Sequence, residues 1–378
     1  MQQAKNIYLD HAATTPLCQE AFEKMSPYFC DCFGNADSPH GVGRKAMLAV
    51  DNARDKIAEI LHANPKEIYF TSGGTEADNW ALVGGALAQK GKRVIVSAVE
   101  HHAVLSAADK LRDMGVKVDV LPVNNGGRVE ISALESMMDA DVGLVCVMMA
   151  NNETGVLQPT KEIATLCKKY GALCFADGVQ AAPYLDIDVK ELGVDMLSLS
   201  AHKFYGPKGI GALYIKSGVK IEKFVSGGEQ ERGMRGGTVN VPAVVGFATA
   251  LELTAKERAE RQAHLSALRT AFLEGLADLD GVTKNGEEGL PAVLNLRFDG
   301  VDNDSLLYAM DLKGVAMAAG SACASASVKP SHVLTAMGLS EQEAKNSVRI
   351  SFGKDNTEED VRTAARVLKE EVEKQRGL

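Results

Sequence analysis

"VGLVCVMMANNETGVLQPTKEIATLCKKYGALCFADGVQA", residues 142–181, holds two short runs that are apolar throughout, with a helical pattern between them. The first run, "VGLVCVMM", gives way to the polar "ANNETG". The second, "ALCFA", ends at Asp177. A strand that is apolar on every residue is buried on both faces, and a helix between two such strands is the crossover of a parallel sheet.

The same alternation extends outward from about Ala46 to Tyr214. "RKAMLAVDNARDKIAEIL" has apolar residues at helical spacing. "EIYFTSGGTEADNWALVGGALAQK" reads as a strand, a Gly turn and a helix with Thr75, Glu76 and Asp78 in its first turns. "KRVIVSAVEHHAVLSAADKLRDMG" repeats that pattern, and "VKVDVLPV" and "DMLSLSAHKF" supply further strands. The fold class expected is therefore α/β with a mainly parallel sheet. In such sheets ligands sit beyond the carboxyl ends of the strands, so the polar residues there are the ones to examine.

Past Pro242 the pattern changes. "VVGFATALELTAKERAERQAHLSALRTAFLEGLADL" is a long helical stretch, able to link one domain to another. "AVLNLRF", "NDSLLYAMDLKG", "SVRISFG" and "NTEEDVRTAARVLKEEVEKQ" then describe a smaller α+β module. The expected division is a large domain over 14–257 and a small one built from 1–13 and 258–378. A chain of 378 residues exceeds one ordinary core, which agrees with two domains.

Hydrophobic residues make up 46% and charged residues 24%, the balance of a globular protein that can bury a sizeable core. The net charge of −9 lacks the basic field that non-specific nucleic-acid binding requires. No run approaches the roughly 18 apolar residues that span a bilayer, and "MQQAKNIYLDHAATTP" has no signal-peptide core. A cytoplasmic protein with no membrane or nucleic-acid partner is expected. The seven cysteines are an odd number, which argues against a disulfide framework. Cys30 and Cys32 form a C-x-C pair with no second pair to complete a metal site, so no metal is expected.

Four strand ends carry chemistry. In "SLSAHKFYGPKG", Lys203 is either a solvated strand end or an amine poised to bond an aldehyde cofactor, with Ser200 and His202 beside it. In "FADGVQA", Asp177 either caps the next helix or faces a cationic ring nitrogen, and Gln180 lies three residues on. In "TSGGTEADN", Gly73, Gly74 and Thr75 open a helix directly after a strand, where free N–H groups suit a phosphate. In "SAVEHHAV", His101 or His102 is either a satisfied structural residue or a ring that could stack and exchange protons.

Together, "YLDHAATTP", "TSGGTEADN", "VEHHAV", "MMANNETGV", "FADGVQA", "SLSAHKFYGPKG", "GGEQERGMRGGTVN", "GSACASAS" and "VRISFG" occur in the order seen in cysteine desulfurases. The chain resembles that family over about 7–369. Its members are fold-type I enzymes dependent on pyridoxal phosphate, within the class-V aminotransferase group. The resemblance implies a seven-stranded sheet and a role for each matching position. Lys203 would hold the cofactor covalently and later move the substrate's Cα proton. Asp177 would pair with the pyridine nitrogen, Gln180 would bond the phenolic oxygen, and His101 would stack on the ring. Gly74, Thr75, Ser200 and His202 would hold the phosphate. Thr238 resembles the residue that reaches the phosphate of the neighbouring subunit, so a homodimer is implied. Asn152 and Arg349 resemble the groups that bind the substrate carboxylate.

Cys323, within "AAGSACASAS", would take sulfur from L-cysteine as a persulfide, leave alanine, and pass the sulfur to an acceptor such as an iron–sulfur scaffold. Its small-residue segment, about 318–330, matches the family's long-loop style, the general iron–sulfur or nitrogen-fixation type. The ending "EKQRGL" is shorter than in the common members, whose tail docks the scaffold, so docking in that manner is not expected. A selenocysteine lyase or another C–S lyase on the same scaffold is the competing enzyme reading. A sulfur carrier without cofactor is the competing reading from a different class, and the presence of every cofactor position weighs against it.

Overall fold

The computed structural model describes residues 6–89, 92–320 and 330–377. Its strands are, in chain order, Ile7–Tyr8 (β1), Ile68–Thr71 (β2), Arg93–Ser97 (β3), Val118–Leu121 (β4), Val142–Cys146 (β5) and Leu173–Asp177 (β6). There follow Met196–Ser200 (β7), Gly211–Ile215 (β8), Val282–Lys284 (β9), Val293–Phe298 (β10), Val315–Ala316 (β11) and Ser347–Ser351 (β12). Strands β2 to β8 form one seven-stranded sheet in the order β2-β8-β7-β6-β5-β3-β4. Only β8 runs against its neighbours; the other pairings are parallel.

The strands that read as apolar throughout are buried on both faces. Along β3, Ile95 enters one core, while Val94 and Val96 enter the core on the opposite face. Along β5, Val145 and the pair Leu144 and Cys146 divide in the same way. The period of two in a strand puts alternate side chains on opposite faces, so both faces need cover. Edge strand β4 departs from this, with Val120 exposed. Between β5 and β6 the crossover helix Thr160–Tyr170 stops at Gly171, whose φ of 73° is the left-handed conformation that glycine adopts without penalty.

The helix Val241–Glu274 is 34 residues long, roughly 50 Å at the rise of an α-helix. Asn240 caps it, its side chain accepting from the Ala243 N–H, and Pro242 sits in its first turn. It packs on helices Gly41–Ile60 and Glu358–Gln375, one from each end of the chain. Beyond it lies a three-stranded antiparallel sheet, β12-β10-β9, and β1 pairs with β11 in parallel. The apolar core is continuous from Ile7 to Val372 and draws on both sheets. Among the described residues, no helix is long and apolar enough to cross a membrane.

One buried ion pair ties the loop before the long helix to the sheet edge. Arg54 meets the Glu231 carboxylate with two bonds, of 2.8 and 2.7 Å, and the Phe70 N–H donates to it as well. Glu231 has a φ of 48° and is buried, so this bidentate contact holds strained backbone in place. Arg54→Ala leaves the carboxylate buried and unpaired, and is expected to cost about 3 kcal/mol. Thermal unfolding should show a clear fall in midpoint for Arg54→Ala. It should show almost none for Arg366→Ala, whose partner Glu370 lies one turn away on an exposed helix face. Equal effects of the two changes would contradict the assignment.

Candidate active site

Strand order reverses between β3 and β5, because β3 leads outward to β4 while β5, β6 and β7 step the other way. Ligand crevices form at such points. A cavity of about 200 Å³ opens there, beyond the carboxyl ends of the parallel strands. Gly74, Thr75, His101, Asn152 and Asp177 line it, and so do Gln180, Ser200, His202, Lys203 and Arg349. Thr238 is exposed and lies outside the lining. Cys323 lies outside the described residues.

At one end, Gly74 and Thr75 begin the helix that follows β2. The first N–H groups of a helix have no partner within it and carry its positive end. Gly74 leaves room for the close approach of Val179, whose Cγ2 would lie 2.9 Å from a Cβ there and would have to shift. Ser200 closes β7 beside it, and the His202 ring holds Thr14 Oγ1 at 3.1 Å through Nδ1. Burial pushes His202 down to about 4, with the charges of Lys203 and Lys208 adding to the effect. The ring is neutral at pH 7.

In the middle, Asp177 ends β6 with its carboxylate 5% exposed. The Val179 N–H and the Ser198 hydroxyl both donate to Oδ1, at 2.8 and 3.4 Å, which leaves Oδ2 for a group in the cavity. Burial raises its pKa, while the Val179 N–H and the Lys203 charge pull the other way. Two further carboxyls lie close by. Burial, and then Asp177, push Asp78 well up, and its Oδ1 has no partner among the described residues. Burial pushes Glu100 up to about 8, against hydrogen bonds from Ser97 and the Met148 N–H.

The segment after β1 forms the opposite wall. Lys203 Nζ donates to the carbonyls of Ala12 and Ala13, at 2.6 and 3.0 Å, and Gln180 Nε2 donates to Ala12 at 2.8 Å. His101 caps its helix, with Nδ1 accepting from the Ala103 N–H at 3.1 Å, so the ring proton sits on Nε2. Burial pushes His101 down to about 4, helped by the charges of Lys203, His102 and His332. From β12, Arg349 reaches in at 1% exposure. Its Nη1 donates to the Asn152 carbonyl at 3.0 Å, and its Nη2 to Asp10 Oδ1 at 2.7 Å.

The donor set fits pyridoxal phosphate. Helix N–H groups, Ser200 and His202 suit its phosphate, Asp177 its ring nitrogen, and Lys203 its aldehyde carbon. Sequence reasoning missed Asp10, Asp78 and Glu100. Each lies inside a motif it quoted; burial sets Asp78 and Glu100 apart, and the ion pair with Arg349 sets Asp10 apart. Among the described residues no His, Cys, Asp and Glu group could hold a metal.

His11, His101 and His202 each fall to about 4 from an ordinary 6.5. Between those values the unfolded chain binds more protons than the folded one, so stability drops as pH falls from 6.5 towards 4. Glu100, raised to about 8, acts in the opposite sense as pH rises through 4.5 to 8. His101→Gln should therefore flatten the acid limb of stability, read as unfolding midpoints of the cofactor-free chain from pH 7 to 4. A limb of unchanged slope would contradict it.

Comparisons with known proteins bear on the family of the chain. The aminotransferase class-V family model matches residues 7–363. Cysteine desulfurase IscS of Clostridium botulinum is 44% identical over 381 residues, covering 99% of this chain and 96% of that protein. A solved NifS-like protein superposes with a TM-score of 0.91 at 36% identity, covering 97% of this chain and 98% of the other. The solved complex of SspA with cysteine gives a TM-score of 0.82 at 34% identity, over 91% of this chain and 98% of that one. The chain belongs to the class-V aminotransferase family, as a pyridoxal phosphate-dependent cysteine desulfurase of the IscS and NifS type.

Proposed function

We propose that Lys203, His101 and Cys323 are the catalytic groups of this desulfurase, acting on L-cysteine held by Arg349 and Asn152. The observation that carries the reading is the convergence of Lys203, Asp177 and Arg349 on one cavity from three distant parts of the chain. SspA, a similar protein, binds cysteine in its solved complex, which supports the same substrate here.

Pyridoxal phosphate, when bound, supplies an electron sink for the pair left as the substrate's Cα–H bond breaks. Asp177 keeps the sink effective, because a carboxylate beside the ring nitrogen favours its protonated form. The Arg349 guanidinium takes the substrate carboxylate, and its anchors on Asp10 and the Asn152 carbonyl fix where that carboxylate sits. Lys203 Nζ, once released from the carbonyls of Ala12 and Ala13, removes the Cα proton. His101, neutral and protonated on Nε2, can donate from that nitrogen, since its Nδ1 already accepts from the Ala103 N–H. The Cys323 thiolate attacks the substrate sulfur. The S–S bond forms as the Cβ–S bond breaks, leaving a persulfide on Cys323; the pair from the Cβ–S bond takes up a proton at Cβ, Lys203 returns a proton to Cα, and alanine departs.

We further propose a homodimer in the cytoplasm that hands its sulfur to an acceptor protein. Phe22, Phe29, Phe33, Val42, Met47 and Leu48 are all exposed within residues 22–48, and large apolar side chains left in water in such number favour a protein interface. Thr238, exposed and outside its own cavity, is free to serve the neighbouring subunit's phosphate site. The described cysteines are free thiols, as a reducing compartment maintains them.

Lys203→Ala should remove both the visible absorption band of the bound cofactor and alanine release. Cys323→Ser should keep the band and lose sulfur transfer; transfer at the wild-type rate would overturn the role of Cys323. Arg349→Lys, which loses the guanidinium fork, should raise KM for cysteine about tenfold or more. An unchanged KM would remove Arg349 from the substrate site.

A further inference from the structure

Residues 318–320 and 330–336 flank Cys323 on its two sides. Both flanks are fastened to the chain that binds substrate. On the first, Ala318 exchanges two main-chain bonds with Arg349, of 3.3 and 2.6 Å. Gly320 then lies against Glu153, so closely that a Cβ there would come within 3.0 Å of Oε2. On the second, the Ser331 hydroxyl donates to the same Glu153 Oε2 at 2.5 Å while accepting from the Leu334 N–H. His332 Nε2 donates to the Glu100 carbonyl at 2.9 Å.

Glu153 is itself held fast. It is 1% exposed, its N–H donates to Asn151 Oδ1 at 2.9 Å, and its carbonyl accepts from Asn295 Nδ2 at 3.2 Å. Asn295 lies directly opposite Arg349 in the β10–β12 pairing. Glu153 also follows Asn152, whose carbonyl accepts from Arg349. A carboxylate buried this deeply costs free energy unless it is used. Here it meets one flank by hydrogen bond and the other by contact, on a frame shared with the substrate's own anchor.

We propose that Glu153 is a positioning residue for sulfur transfer: its carboxylate gathers the two flanks of Cys323 and fixes them to the Asn152 and Arg349 frame. The two described flanks and the substrate carboxylate are then referred to one base, formed by Glu153, Asn152 and Arg349. A displacement of about 1 Å in such a frame costs up to about 100-fold in rate without touching the chemistry. The proposal rests on the reading of Cys323 as the sulfur-accepting thiol.

The test uses cofactor-loaded enzyme: wild type, Glu153→Ala, Glu153→Gln, Ser331→Ala and the Ala–Ala double variant. Cofactor absorbance, KM for cysteine and kcat for alanine release are read for each. Glu153→Ala should keep the absorbance and hold KM within about twofold, while kcat falls about tenfold or more. Glu153→Gln, whose amide oxygen still accepts from Ser331, should recover most of that loss. The double variant should be no worse than the poorer single one, because the two side chains act through one bond. Wild-type kcat in Glu153→Ala overturns the proposal alone. So does a loss of kcat matched by equal loss of cofactor absorbance, and so do losses that add. If Glu153→Ala fails to fold, Ser331→Ala alone decides by the same split of kcat against KM. A wild type that releases no alanine overturns the desulfurase reading and this proposal with it.

Discussion

A carboxylate buried at the end of a parallel strand is the constraint around which the site is built. Asp177 stands at the close of β6, where the apolar run that made the strand gives way to the cavity. Isolated in that position it would take up a proton. The Val179 N–H and the charge of Lys203 oppose this. Asp78 and Glu100, driven towards their neutral forms by burial, add little repulsion. A cationic ring nitrogen, when the cofactor is bound, would favour the charged form of Asp177 over its two neighbours. Like charges crowded in a dry site cannot all ionise, and burial decides which of them yields.

The second requirement is that two sheets share one cavity. The large sheet supplies Asp177, Ser200, His202 and Lys203 from adjacent strand ends. The small antiparallel sheet supplies Arg349. The chain just after β1 joins them, since Asp10 accepts from Arg349 while Ala12 and Ala13 accept from Lys203. A segment of four residues thereby ties Lys203 and Arg349 to one another. Lys203 alone has to leave its bonds to this segment before it acts, while Arg349 stays anchored on Asp10 and the Asn152 carbonyl.

Much of this was legible in the sequence, for physical reasons that differ between residues. Strands apolar on every residue announced a sheet covered on both faces, and the polar residues ending them, Asp177 and Lys203, announced the cavity edge. Arg349 had no such local mark; only resemblance to a known family pointed to it, because its burial arises from contacts with Asp10, 339 residues away. Asp10, Asp78, Glu100 and Glu153 were passed over for the same reason. Each reads locally as an ordinary acidic residue near a helix or loop; tertiary packing buries Asp78, Glu100 and Glu153 and brings Asp10 to Arg349. The antiparallel course of β8 was also hidden, since a buried strand reads alike in either direction.

The most direct test follows the sulfur atom. Cofactor-loaded protein is given L-cysteine for a single turnover without an acceptor, and the cysteine-containing peptides are weighed. The account predicts a gain of one sulfur atom on the Cys323 peptide, matched mole for mole by alanine, with the other six cysteines unchanged. Sulfur on another cysteine, or alanine formed with sulfide released and Cys323 never modified, would contradict it.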